Sequence, residues 1–171
     1  ADSEVSREGS TLMRPLLFDF ADDAEALMHE TEYMFGRSIL VNPVLSPSVT
    51  TYKTYLPKHA AGWYDFHTGK HYEGGQTVET DVTLANIPVF VKGGSILPLG
   101  PVKQYAMQES DEPIELRVYP GADAVYNLYE DEEDDDLEDQ YLNEDEITFR
   151  SVNNGRFSKK LKNTVGMLVR T

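Results

Sequence analysis

The chain has 171 residues, of which 40% are hydrophobic, with ten Tyr, seven Phe and a single Trp, enough apolar material for one substantial core or two small ones in series. Its net charge of −15 excludes phosphate backbones as partners, because nucleic-acid binding needs the opposite sign. No apolar run approaches the roughly 20 residues that span a bilayer, and the first ten residues are too polar for a secretory leader. The lack of cysteine excludes disulfides and thiolate chemistry without fixing the compartment, since exported bacterial proteins also lack it.

Residues 1–12 show no period, so the chain reads as beginning in the middle of something. Residues 13–20 form a compact apolar segment without a turn signal, expected to be a buried strand. Asp22 and Asp23 then open Ala24-Glu25-Ala26-Leu27-Met28-His29, which predicts a short helix with its acidic start at the positive end of the dipole. A second buried strand is expected over residues 38–45. Strand, helix and strand in this order are similar to one unit of an α/β barrel, which about forty residues cannot close alone.

From Ser46 the pattern turns all-β. Residues 50–56 and 63–66 are aromatic and β-branched, and Pro57, Gly62, Gly69, Gly74 and Gly75 punctuate them. Val78, Thr80, Val82 and Leu84 alternate with Glu79, Asp81 and Thr83, the period of a strand with one wet face. Residues 87–99 hold two apolar runs around Gly93-Gly94, which predict two buried strands meeting at a tight reversal or bulge, with Val89 in the core. Residues 103–113 read as a linker. Ile114, Leu116 and Val118 then alternate with polar neighbours, and Pro120-Gly121 predicts a hairpin into residues 124–129. Weaker strand signals resume at residues 147–149 and 157–169. The fold class expected is therefore mainly β, with C-terminal sandwich domains preceded by the last elements of a (β/α)8 barrel: residues 1–46 barrel, 47–104 a proximal sandwich and 105–171 a distal β domain.

Few residues suggest chemistry. His67 and His71 have the spacing of two metal ligands on a helix, but Gly69 between them points to a turn and to solvated histidines. His29 and His59 read as surface residues. The run Asp131-Glu132-Glu133-Asp134-Asp135-Asp136 lacks the glycine and flanking helices of a calcium loop, and reads as a solvated acidic loop with weak calcium binding as the alternative. Asp19, alternating with buried neighbours, is the acid placed to face a cleft. Trp63-Tyr64 is either a core anchor or a platform for stacking on sugar. No Ser-His-Asp set, phosphate loop or dinucleotide fingerprint is present.

Read together, residues 13–20 (Met-Arg-Pro-Leu-Leu-Phe-Asp-Phe), 33–44 (Tyr-Met-Phe-Gly-Arg-Ser-Ile-Leu-Val-Asn-Pro-Val), 55–57, 62–69 (Gly-Trp-Tyr-Asp-Phe-His-Thr-Gly), 74–75, 87–98 and 128–131 resemble the C-terminal part of glycoside hydrolase family 31, retaining α-glucosidases and α-xylosidases. The resemblance weakens after Asp131. It implies a scaffold beside an upstream catalytic barrel, which is the expected partner and the route to an oligosaccharide substrate. It also implies two catalytic aspartates on earlier barrel strands, acting through a covalent glycosyl intermediate. Their motifs are absent, so no catalytic, cofactor or metal residue is assigned and the chain alone is expected to be inactive. Asn42, where many relatives have Ala or Ser, leans toward the α-xylosidase branch. The alternative function is a non-catalytic carbohydrate-binding or assembly module built on Trp63 and Tyr64.

Overall fold

The structure is a computed structural model; it describes residues 9, 11–105, 108, 112–130, 143–150, 156–159 and 167–170. The chain divides into two compact units, Ala1–Gly93 and Gly94–Thr171.

The first unit holds a six-stranded sheet of β1 (Met13–Pro15), β2 (Tyr33–Phe35), β3 (Ile39–Val41), β8 (Val89–Lys92), β5 (Trp63–Asp65) and β6 (His71–Tyr72), in that spatial order. Every pairing in it is antiparallel. A second, two-stranded sheet pairs β4 (Thr51–Leu56) with β7 (Gln76–Asp81). Tyr55, Leu56 and Val78 from this pair meet Met34, Leu40, Trp63 and Phe90 from the larger sheet in one core, so the unit is a β-sandwich. β4 and β7 fall where composition and alternation place them, with Val78 and Val82 inward and Glu79 and Asp81 outward. Leu84 lies past the strand end and is exposed.

Among the described residues, the barrel elements expected within residues 1–46 are not built. Barrel strands are parallel, whereas β2 and β3 form a hairpin and β3 pairs antiparallel with β8 across fifty residues of chain. The expected strand over residues 13–20 stops at Pro15, and Leu16–Asp19 make one helical turn, α1. The expected helix after Asp22 shrinks to a 3-10 turn at Ala26–Met28. The reason is amphipathicity: only Ala26 of that turn is buried, while Leu27 and Met28 point outward, so no apolar stripe exists to support a longer helix.

The second unit has β14 (Met167–Arg170), β10 (Ile114–Tyr119) and β9 (Ser95–Leu99) in one sheet, with β10 parallel to β14 and antiparallel to β9. A second sheet orders β11 (Ala124–Glu130), β12 (Asn143–Arg150) and β13 (Arg156–Lys159) as an antiparallel meander. Ile96, Leu116 and Val118 pack with Ala124 and Tyr126, again sheet against sheet. The hairpin expected around Pro120-Gly121 does not form: β10 and β11 lie in different sheets, and the turn is a corner between them. Alternation identifies both strands but cannot distinguish pairing within a sheet from stacking across one.

The same distinction corrects the reading of residues 87–99. β8 and β9 do not pair, because they belong to the two different units. Gly93 donates to Gly62 O at 2.9 Å, and Gly94, at φ 78°, donates to Tyr119 O at 2.7 Å. A Cβ on Gly93 would strike the Ala61 carbonyl. Phe90 and Val91 are fully buried, while Val89 is only half-buried and Ile87 is exposed. Phe90→Ala is therefore the decisive core substitution, expected to cost about 3–5 kcal/mol in urea-induced unfolding. A loss under about 1 kcal/mol would show that this residue is not at the centre of the core.

Candidate functional site

The positions singled out in the sequence are occupied by structural roles. Trp63 is fully buried and donates its indole N–H to Pro57 O at 2.8 Å, with Phe20 tilted across it at 5.9 Å. It is the core anchor, and no face is free for a sugar. Tyr64 is half-buried with the edge of His71 at 4.7 Å. His67 Nε2 lies 3.1 Å from Ile87 O and His71 Nε2 lies 3.0 Å from Ala61 O, so the two rings serve different backbone carbonyls. No group of three potential ligands gathers among the described residues. The acidic run Asp131–Asp136 lies outside the described residues.

Asp19 is exposed and paired within the chain. Its Oδ2 accepts Arg14 Nε at 3.0 Å, while Arg14 Nη2 donates to Gly36 O at 2.9 Å, which ties α1 to the end of β2. His59 is no simple surface residue: it packs edge-on to Trp63 at 6.3 Å, and burial, aided by Lys92, holds its pKa below the usual imidazole range.

The chemically unusual cluster is one that the sequence reading missed. Asp23, expected to start a helix, is buried beneath β4. It accepts the Tyr55 hydroxyl at 3.1 and 3.0 Å and the Lys58 backbone N–H at 2.8 Å, with Lys58 Nζ at 3.7 Å. Burial works upward on its pKa, but the Lys58 N–H, the Tyr55 hydroxyl and the Lys58 charge prevail and hold it below its ordinary 3.8. Burial and this hydrogen bond push Tyr55 up to about 12. On the other side of Tyr55, Glu32 is also buried, and its Oε1 accepts the Tyr55 backbone N–H at 2.9 Å. His29 Nδ1 lies 3.1 Å from the same oxygen, and its ring stacks on Tyr55 at 5.0 Å, so His29 is a packed residue rather than a surface one. Asn42 joins through Nδ2, which donates to Lys53 O and Thr54 Oγ1, each at 3.0 Å. The only available signal was acids alternating with apolar residues in a stretch that lacks helical periodicity.

This arrangement holds backbone in place. Asp23 spends both oxygens on the Tyr55 hydroxyl and the Lys58 N–H and is closed off from solvent.

The sequence profile of the glycosyl hydrolase family 31 C-terminal domain matches residues 9–97. The chain belongs to glycosyl hydrolase family 31. Among family 31 relatives, an alpha-xylosidase of Saccharolobus solfataricus is 44% identical over 124 residues, covering 72% of this chain and 17% of that protein. Neutral alpha-glucosidase C of Mus musculus is 39% identical over 142 residues, 81% of this chain and 16% of the relative. The crystal structure of the family 31 alpha-xylosidase from Xanthomonas citri superposes with a TM-score of 0.78 at 34% identity, covering 86% of this chain and 16% of that one. The Flavobacterium johnsoniae family 31 dextranase, complexed with isomaltotriose, gives 0.77 at 34% identity over 88% of this chain and 19% of its own. The chain thus spans less than a fifth of the length of these relatives. The family 31 profile begins at residue 9, ahead of β1, in accord with the antiparallel pairing that joins residues 13–41 to the sandwich.

The Asp23 cluster makes a family 31 scaffold prediction. Tyr55→Phe removes the hydroxyl donor from a buried carboxylate and is expected to cost roughly 1.5–3 kcal/mol near neutral pH. The stability tied to Asp23 is present above its ordinary 3.8 and is lost as pH falls through the lower folded value. Losing the hydroxyl raises that folded value, so acid unfolding should begin at higher pH in Tyr55→Phe, as followed by circular dichroism. Superimposable acid transitions would refute the role given to Tyr55.

Proposed function

We propose that this chain is the C-terminal structural portion of a retaining α-glycosidase, an α-xylosidase or α-glucosidase, that removes terminal α-linked sugars from oligosaccharides. On this reading the first unit is the proximal and the second the distal C-terminal domain. The catalytic aspartates then reside in a barrel supplied by residues outside this chain. The profile match and the identity to the Saccharolobus alpha-xylosidase support the enzyme class.

The observation that carries the scaffold role is an apolar face on the first unit. Phe18 is 64% and Met28 77% exposed, and Met13, Leu17 and Leu27 are also exposed. They are neighbours: α1 follows β1 directly and packs against the 3-10 turn, while Met13 stands in register with Phe35 on β2. Several large exposed apolar side chains on contiguous elements mark an interaction surface. A barrel flank is the partner that the family assignment supplies. Asn42 contributes to the scaffold through its amide nitrogen, which serves Lys53 and Thr54 inside the sandwich.

Hydrolysis of aryl α-xyloside and aryl α-glucoside by the 171-residue chain, beside the full-length enzyme that carries it, tests the assignment. Cleavage by the full-length enzyme alone is expected, and the better substrate names the sugar. Turnover by the isolated chain would sink the proposal. In the full-length enzyme, Phe18→Ser combined with Met28→Ser should lower the thermal midpoint by several degrees, given about 1.5–3 kcal/mol for each large apolar side chain removed from an interface. An unchanged midpoint would mean that nothing covers this face.

A further inference from the structure

Glu32 makes its hydrogen bonds on one side only. Oε1 takes the Tyr55 N–H at 2.9 Å, His29 Nδ1 at 3.1 Å and Asn42 Nδ2 at 3.4 Å, whereas Oε2 is buried without a partner. In a carboxylate both oxygens carry charge and both need donors; in a carboxylic acid one oxygen is a carbonyl acceptor and the other a hydroxyl. Ionised, Glu32 would bury a charged oxygen without a donor; protonated, it would bury only a neutral hydroxyl there, which costs less. Asn42 Oδ1 is likewise a buried acceptor without a donor in the same cluster. The orientation of that amide is fixed, because only its nitrogen can donate to Lys53 O.

These contacts fasten an irregular segment. Between α1 and β2 the chain has one 3-10 turn, and it is held to β4 by Asp23 on Tyr55 and Lys58, by the His29 ring on Tyr55, and by Glu32 on the Tyr55 amide. We infer that Glu32 is a proton-operated latch: protonated, it holds residues 22–32 against β4, and on ionisation the bare buried oxygen loosens that attachment.

The surrounding charges agree with this direction. His29 faces Glu32 from the 3-10 turn, and it is shared with Glu25, whose Oε1 lies 3.7 Å from His29 Nε2. From β4 come Tyr55 and the backbone carbonyl of Lys53, the latter on Asn42. Beyond the Tyr55 hydroxyl stand Asp23 and, on it, Lys58. The His29 ring is thus shared between two acids. Burial pushes Glu32 up to about 7, against the Tyr55 N–H and His29, which act to lower it. A group with a raised folded pKa contributes stability that is present below its unfolded value of 4.5 and is lost as pH rises through about 7.

Two measurements on the full 171-residue chain test the latch. The first is the side-chain carboxyl 13C shift of Glu32 against pH, which requires no variant; the latch expects its midpoint near 7, and a midpoint at the ordinary 4.5 overturns it. The second is chymotrypsin cleavage after Leu27 and Met28, read by mass spectrometry from about pH 6 to about pH 8, with Glu32→Gln as the reference at each pH. The amide keeps an acceptor for Tyr55 and cannot ionise. Cleavage of the parent chain should rise roughly tenfold over that of Glu32→Gln across this range, a little over one pKa unit of linkage. Parallel profiles for the two proteins overturn the latch even if Glu32 titrates near neutrality.

Discussion

Tyr55 is the residue on which the first unit's irregular part depends. Between the end of α1 and the start of β2 the chain makes one short turn and has no sheet partner of its own to fix its course. Tyr55 acts at both ends: its amide meets Glu32 and its hydroxyl meets Asp23, nine residues apart in sequence. Burying two acidic side chains is costly unless each finds hydrogen-bond partners, so the segment has few placements other than the one that brings both acids to β4. Directed polar contacts thus do what a hydrophobic helix face does in more regular folds. They also explain how Leu27 and Met28 can point outward without the segment losing its position.

The sheets were the legible part of the sequence, for a definite reason. β4, β5, β7 and β10 are rich in β-branched and aromatic residues, and the alternation in β7 and β10 declares which side faces inward. Partnership was not legible. The corner at Pro120-Gly121 has the composition of a hairpin turn, and the Gly93-Gly94 pair that of a reversal, yet both carry the chain from one sheet to another. Local sequence specifies that a chain bends; which face it meets after bending depends on the competing partners of every other strand. Met13–Asp19 failed differently, since seven residues holding a proline and no period are compatible with strand or helix until tertiary contacts decide.

The cluster around Tyr55 was hidden because burial of acids leaves little trace in a single sequence. Asp22 and Asp23 are chemically identical and adjacent, but the first is exposed and the second is enclosed. Trp63 was ambiguous between a stacking platform and an anchor, and the Pro57 carbonyl resolves the choice by engaging its only polar atom inside the core. Family membership rests on ordered motif blocks, many of which prove to be packing and turn positions: Gly62 and Gly69 adopt positive φ, and Trp63 and Phe90 fill the core. Such blocks preserve a scaffold faithfully and say little about which sugar is cleaved, since function belongs to the site and not to the fold that carries it.

The junction at Gly93-Gly94 has a consequence for how such enzymes can be cut and recombined. β8 ends at Lys92 and β9 begins at Ser95, so the border between the two units is a single dipeptide rather than a tether. Each glycine is hydrogen-bonded into its own unit, one under a carbonyl that excludes any side chain and the other in a left-handed conformation. A gene fusion or an exon boundary placed there would have to reproduce both constraints at once. Exchange of the second unit between family members is accordingly easier to accommodate where both parents already carry the glycine pair, which makes these two small residues a compatibility mark for domain shuffling.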